Sequence, residues 1–196
     1  MRGSAKGVEL DMSESVKSLR SEAEDIIQQL TLFEILGQYG EARLVGSCAL
    51  DLIVKLDIDI HLVVGTTDLL SVVDSIYHQL LECRRVKEVR ISDYRDQGGV
   101  KIGVDRYPGA SGIWSIDIWV TDRVGTTGFA LVDRLKQELQ PEHRKAILMI
   151  KEAYHRRGQL RKSLSAMIYR AVIDNGVRSI EGFRQFLSSR GRSDLA

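Results

Sequence analysis

The chain has 196 residues, of which 43% are hydrophobic and 28% are charged. These fractions are typical of soluble globular proteins and exclude the disordered, collagen-like and coiled-coil classes. No apolar stretch approaches the ~20 residues that a membrane span needs, and the first fifteen residues lack the apolar core of a secretory signal. Only Cys48 and Cys83 are present, so we expect two reduced thiols in a cytoplasmic protein, with neither a disulfide framework nor a cysteine-based metal cluster.

Hydrophobic periodicity and turn residues predict an α/β first part and an all-helical second part. The predicted strands are, in chain order, 42–45, 56–64, 86–94, 99–105 and 113–121. The predicted helices are 13–38, 69–83, 129–139, 142–157, 163–174 and 179–189. Residues 48–54 are expected to form a short helix or an irregular crossover, and residues 95–98 a hairpin loop.

The charges divide unevenly between these two parts. Residues 1–124 carry 14 basic and 20 acidic side chains, a balance of −6, whereas residues 125–196 carry 14 and 7, a balance of +7. An excess of basic residues is typical of a region that binds an anion. A solvent-exposed helical surface rich in Lys and Arg has the same charge balance. We predict two domains with these bounds, 1–124 and 125–196.

The sequence Asp57-Ile58-Asp59 carries the first chemical signal. Alternation along a strand puts both carboxylates on one face. At an effective dielectric of about 20, two such charges 4 Å apart repel by roughly 4 kcal/mol. A divalent cation would neutralise them, and oxygen ligands suit Mg²⁺ or Mn²⁺. A strand face that simply points both acids into water is the alternative.

Gly46-Ser47 lies at the end of a short predicted strand, ahead of this pair. Glycine permits close approach of the backbone to a phosphate, and a serine hydroxyl can donate to phosphate oxygens. The stretch LVGSCALDLIVKLDIDIHLVV resembles the signature of the DNA-polymerase-β-like nucleotidyltransferase superfamily. The resemblance covers roughly residues 43–120.

The resemblance implies a small mixed sheet with helices on one side, followed here by a C-terminal helical bundle. It also implies a third carboxylate on a later strand, for which Asp117 in Trp114-Ser115-Ile116-Asp117-Ile118 is the candidate. Asp105 and Asp122 are rivals, but both lie at predicted strand ends, where Asp is common.

By the same resemblance, Asp57 and Asp59 would bind Mg²⁺ or Mn²⁺, and Asp117 would complete the metal site and help to deprotonate an acceptor hydroxyl. Gly46 and Ser47 would hold the phosphates of a nucleoside triphosphate. The expected reaction is metal-dependent transfer of a nucleoside monophosphate from an NTP such as ATP, with release of pyrophosphate.

The helical part has a weaker resemblance to template-independent nucleotide polymerases. In that group a helical Lys and a downstream Ser contact the triphosphate, which nominates Lys151 and Ser165, with Ser163 in reserve. The residue after this serine is Ala166, where the group has Tyr or Ser. A lysine on a solvated helix face is the alternative for Lys151.

The acceptor is not identified by the sequence. A small molecule of the antibiotic type is one candidate, and a catalytically silent nucleotide-binding or regulatory module of the same fold is another reading. Nucleic acid is possible as a partner but is not indicated, because the net charge is near zero and no aromatic-rich basic strand is present. No membrane partner is expected.

Overall fold

In the computed structural model of the chain, residues 5–192 are described. The chain divides into two compact units, Met1–Asp133 and Arg134–Ala196. The predicted domain boundary after residue 124 stays a prediction. No helix in the described part of the chain is long and apolar enough to cross a membrane.

All the described strands belong to the first unit, which also contains helices, and only helices and their connections are described after residue 133. The strands are β1 Gly40–Val45, β2 Asp57–Val64, β3 Glu88–Tyr94, β4 Gly99–Pro108 and β5 Ile113–Thr121. The helices are α1 Ala5–Gln29, α2 Leu32–Gly37, α3 Gly46–Ala49, α4 Leu69–Glu82, α5 Phe129–Glu138, α6 Pro141–Arg156, α7 Lys162–Asp174 and α8 Ile180–Ser189.

The five strands form one mixed sheet in the order β1-β2-β5-β4-β3. β2 and β5 run parallel, and the other three pairs are antiparallel. The predicted mixed sheet and the predicted hairpin between β3 and β4 are therefore confirmed. A short 3₁₀ turn, Arg95–Gln97, makes the connection within that hairpin.

One face of the sheet forms the core of the first unit. Alternate residues of β2 and β5 are completely buried on this face, and side chains of α1, α2 and α4 pack in the same cluster. Fully burying one such aliphatic side chain contributes about 1.5–3 kcal/mol. The buried strand residues are Ile58, Ile60, Leu62, Ile116, Ile118 and Val120.

The predicted helix over residues 13–38 is wrong in its extent. The structure has two helices there, α1 and α2, with Thr31 between them in the left-handed conformation at φ 46°. Leu30 and Leu32 are both buried, yet residues two apart on a helix point about 200° from each other. The break at Thr31 lets both leucines enter the core.

Glu22 on α1 ties this helix to the β4–β5 loop. Its Oε1 accepts hydrogen bonds from the Ser111 N–H and the Trp114 Nε1–H, each at 3.0 Å. Partial burial raises the pKa of the Glu22 carboxyl, but the hydrogen bonds from Ser111 and Trp114 outweigh it and hold the pKa below its ordinary value.

Glu22→Gln is expected to lower the free energy of unfolding by about 1 kcal/mol at neutral pH, since the charge-assisted hydrogen bonds become neutral ones. A carboxyl with a lowered folded pKa stabilises the fold above its unfolded pKa, near 4.5, and this contribution is lost as pH falls through the folded pKa. Urea unfolding of both proteins from neutral pH to about pH 3 measures the difference, which should shrink on acidification.

Glu24→Gln is the matched control on the same helix. Glu24 pairs with Arg20 at 2.7 Å but is 51% exposed, so its loss should cost less than about 0.5 kcal/mol. A difference between wild type and Glu22→Gln that does not vary with pH would contradict the proposed role of the Glu22 charge.

Candidate active site

The face of the sheet opposite the core carries the predicted carboxylates. Buried and half-buried residues alternate without interruption along β2, with Asp57 and Asp59 on the half-buried side. On β5 the half-buried residues are Ser115, Asp117 and Trp119. The sequence-based assignment of all three acids to the non-core side of their strands is therefore confirmed.

Strand register brings two of these acids side by side. Asp59 is aligned with Asp117 in the parallel β2–β5 pair, and Asp57 is aligned with Ser115. Neighbouring strands lie about 4.8 Å apart, and aligned residues point to the same face. The third acid predicted from β5 thus lies beside the second acid of β2.

Gly46 lies directly against the Asp59 carboxylate. Val45, the last residue of β1, is aligned with Asp59, and a Cβ on Gly46 would lie 2.6 Å from Asp59 Oδ2. Gly46 also has a φ of +65°, which glycine adopts at little cost. Gly46 begins the short helix α3, and Ser47 is the second residue of that helix and is buried.

Asp105 does not share the position of Asp117. It lies on β4, aligned with Glu88 of the edge strand β3, and its carboxylate pairs with Arg90 at 2.8 Å. Asp117, by contrast, is on the strand next to β2 and in register with Asp59. The geometry therefore favours Asp117 as the third acid.

Two lysines pair with the predicted metal ligands. Lys101 Nζ is 2.9 Å from Asp117 Oδ1, and Lys55 Nζ is 3.6 Å from Asp57 Oδ2. Sequence reasoning missed Lys101. Lys101, Gly103 and Asp105 are two residues apart and so share one face of β4. Only the β4–β5 register shows that this face lies beside Asp117.

The donor chemistry of this face suits a hard divalent cation, since all three candidates are carboxylates. The backbone places Asp59 and Asp117 as neighbours, as a shared ion requires. In the described residues, however, no three His, Cys, Asp or Glu side chains are gathered in a group that could hold a metal ion. Lys101 and Lys55 lie beside two of these carboxylates, so a metal ion bound here would compete with their charges.

Lys151 and Ser165 belong to the second compact unit. Lys151 on α6 is only 2% exposed, and its Nζ lies 3.5 Å from Tyr169 Oη and 5.7 Å from the centre of that ring. Ser165 is half-buried on α7. The burial excludes the alternative of a solvated helix face for Lys151, and its predicted contact with triphosphate stays a prediction, as does that of Ser165.

Solved structures share this architecture. A mutant Cid1 poly(U) polymerase bound to MgATP matches at 14% identity with a TM-score of 0.60, over 80% of this chain and 51% of that chain. Cid1 bound to MgGTP matches at 16% identity and 0.53, over 71% and 43%. The non-canonical poly(A) polymerase complex GLD-2–GLD-3 matches at 15% and 0.53, over 82% and 58%.

The chain therefore shares the fold of these poly(U) and poly(A) polymerases, and the expected fold class is confirmed. The chain spans about half the length of the solved structures that it matches. No protein-family model matches the chain, and no curated protein matches it.

Gly46→Ala is expected to destabilise the protein for two separate reasons. A non-glycine residue in the left-handed region costs about 1–2 kcal/mol, and forcing a Cβ against the Asp59 carboxylate adds about 1–3 kcal/mol. Urea unfolding monitored by circular dichroism measures the sum.

Gly158→Ala supplies the matched control. Gly158 has nearly the same φ, +68°, but a Cβ there would meet nothing within 4 Å, so only the backbone cost should be seen. Equal losses in the two variants would show that Asp59 moves aside freely and that Gly46 does not confine it.

Proposed function

We propose that the chain is a metal-dependent nucleotidyltransferase that moves a nucleoside monophosphate from an NTP to an acceptor hydroxyl and releases pyrophosphate. The observation that carries this proposal is the register of Asp59 with Asp117 on the half-buried face of the sheet, opposite the core. The closeness of Gly46 to the first of these carboxylates supports the expected role of Gly46 in phosphate contact.

In this proposal Asp57 and Asp59 hold Mg²⁺ or Mn²⁺, and Asp117 completes the ligand set. When bound, such an ion polarises the α-phosphate and lowers the pKa of the attacking hydroxyl. Asp117 takes the proton from the acceptor hydroxyl. Gly46 and Ser47 hold the β- and γ-phosphates, with Ser47 donating a hydrogen bond.

We further propose the end of an RNA chain as the acceptor. The similar solved structures are described as a poly(U) polymerase, an RNA terminal U-transferase and a poly(A) polymerase. The charge balance of +7 over residues 125–196 is compatible with a polyanionic partner. We retain the proposals that residues 1–124 are the catalytic domain, that residues 125–196 are the helical domain and that the protein is cytoplasmic.

One observation favours a second candidate, a catalytically silent nucleotide-binding module. The carboxylates of Asp57 and Asp117 are each paired with a lysine. A protein of this kind would bind a triphosphate without turning it over.

Asp59→Asn and Asp117→Asn are each expected to lower transfer more than about 100-fold, which corresponds to roughly 2.7 kcal/mol in the barrier. Each removes a charged metal ligand and no core volume. The measurement is transfer from radiolabelled ATP, GTP, CTP or UTP to an RNA oligonucleotide with Mg²⁺ or Mn²⁺.

Asp105→Asn serves as the matched control, because this acid lies on the neighbouring strand and pairs with Arg90. Its activity should remain within about tenfold of wild type. Loss of activity in Asp105→Asn but not in Asp117→Asn would identify Asp105 as the third acid. Nucleotide binding without transfer in wild type would support the silent module.

Lys151→Met should weaken the binding of a triphosphate by about tenfold or more and leave the binding of the nucleoside nearly unchanged. The reason is that a lysine reaching the β- or γ-phosphate has no partner on a nucleoside. Methionine keeps the volume of this buried side chain.

Isothermal titration calorimetry with both ligands measures the two affinities. Lys136→Met, at an exposed lysine of α5, is the control and should change neither. Equal losses for triphosphate and nucleoside in Lys151→Met would assign Lys151 to the folding of the helical unit instead.

A further inference from the structure

Lys101 is held against the third carboxylate by the geometry of the sheet. It lies on β4, the strand next to β5, and its ammonium is 2.9 Å from Asp117 Oδ1. The two side chains are only 26% and 28% exposed. Because partial burial reduces screening by water, this ion pair is stronger than one on an open surface.

Gly103 lies beside the ion pair of Lys101 and Asp117. Gly103 is the residue directly aligned with Asp117, and a Cβ at Gly103 would lie 3.8 Å from Asp117 Oδ1. Lys101 is two residues earlier on the same face and is aligned with Trp119. Lys101 therefore reaches the Asp117 carboxylate diagonally across the β4–β5 pair.

The neighbouring acid on β4 does not compete for this lysine. The Asp105 carboxylate, which also lies beside Gly103, pairs with Arg90 at 2.8 Å. Lys101 is thus matched to Asp117, and Arg90 to Asp105. The lysine therefore occupies the side of Asp117 that faces β4.

We propose that Lys101 is a positioning residue that holds the third carboxylate until a divalent cation displaces its ammonium. This inference rests on the proposed metal-dependent function. An ammonium at 2.9 Å from a carboxylate oxygen and a divalent cation bound to the same carboxylate repel each other. The ammonium on Oδ1 therefore opposes metal binding at either oxygen of the Asp117 carboxylate, and the ion pair lowers the apparent affinity for metal.

The test is direct Mn²⁺ binding to the full chain, followed by the electron paramagnetic resonance signal of free Mn²⁺ and requiring no turnover. Lys101→Met removes the competing charge and keeps the length of the side chain. We expect it to bind Mn²⁺ about tenfold more tightly than wild type, which corresponds to roughly 1.4 kcal/mol. Lys101→Gln is a second variant in case the first does not fold, as judged by circular dichroism.

Two controls separate competition at Asp117 from a general change in charge. Lys101→Arg retains a cation at the same place and should stay within about threefold of wild type. Arg90→Met removes a cation from the same sheet face but from a different acid, Asp105, and should also stay within about threefold.

Each outcome bears on a different part of the proposal. Equal or weaker Mn²⁺ binding in folded Lys101→Met and Lys101→Gln would overturn the role of Lys101 and leave the metal site intact. Tighter binding in Arg90→Met to the same extent would also overturn it, since the effect would then come from net charge. If neither wild type nor any variant binds Mn²⁺, the metal-dependent function fails together with this inference.

Discussion

The parallel pairing of β2 with β5 is the constraint on which the candidate site depends. Each strand buries its isoleucines on the core face, so the residues between them must lie on the other face. A slip of one residue would turn Asp59 or Asp117 into the apolar core and expose the isoleucines. The hydrophobic core, and not any ligand, therefore keeps the two carboxylates side by side.

That arrangement creates an electrostatic problem, which the structure meets with lysines. Carboxylates two apart on one strand repel, and Asp117 adds a third acid on the neighbouring strand. Lys55 and Lys101 supply the compensating charges for Asp57 and Asp117. Asp57 and Asp117 already pair with lysines. The net affinity of the site for a metal ion therefore depends on how much more strongly the carboxylates bind the metal than the lysines.

The sequence predicted those features of the site that depend on the residue pattern within a single strand. Strict alternation in LDIDIHLVV and in the Trp114–Val120 stretch predicted both strands and the face of each acid, and resemblance supplied Gly46-Ser47. Contacts that depend on the register between strands distant in the sequence could not be predicted. The ion pair of Lys101 requires the β4–β5 register, and the contact of Gly46 with Asp59 requires the β1–β2 register. The break at Thr31 depends on burying two leucines that a single helix would point in different directions.

One glycine lies beside each of the two aligned carboxylates, and the two positions differ in how strictly they require glycine. Gly46 has a left-handed backbone and leaves 2.6 Å between its missing Cβ and Asp59, so both conformation and space require glycine there. At Gly103 the corresponding distance to Asp117 is 3.8 Å, an ordinary van der Waals contact. Sterics therefore do not explain Gly103. A Cβ at position 103 would lie 3.8 Å from Asp117 Oδ1 and 3.9 Å from Asp105 Oδ2, so a larger side chain there would have to pack beside both carboxylates.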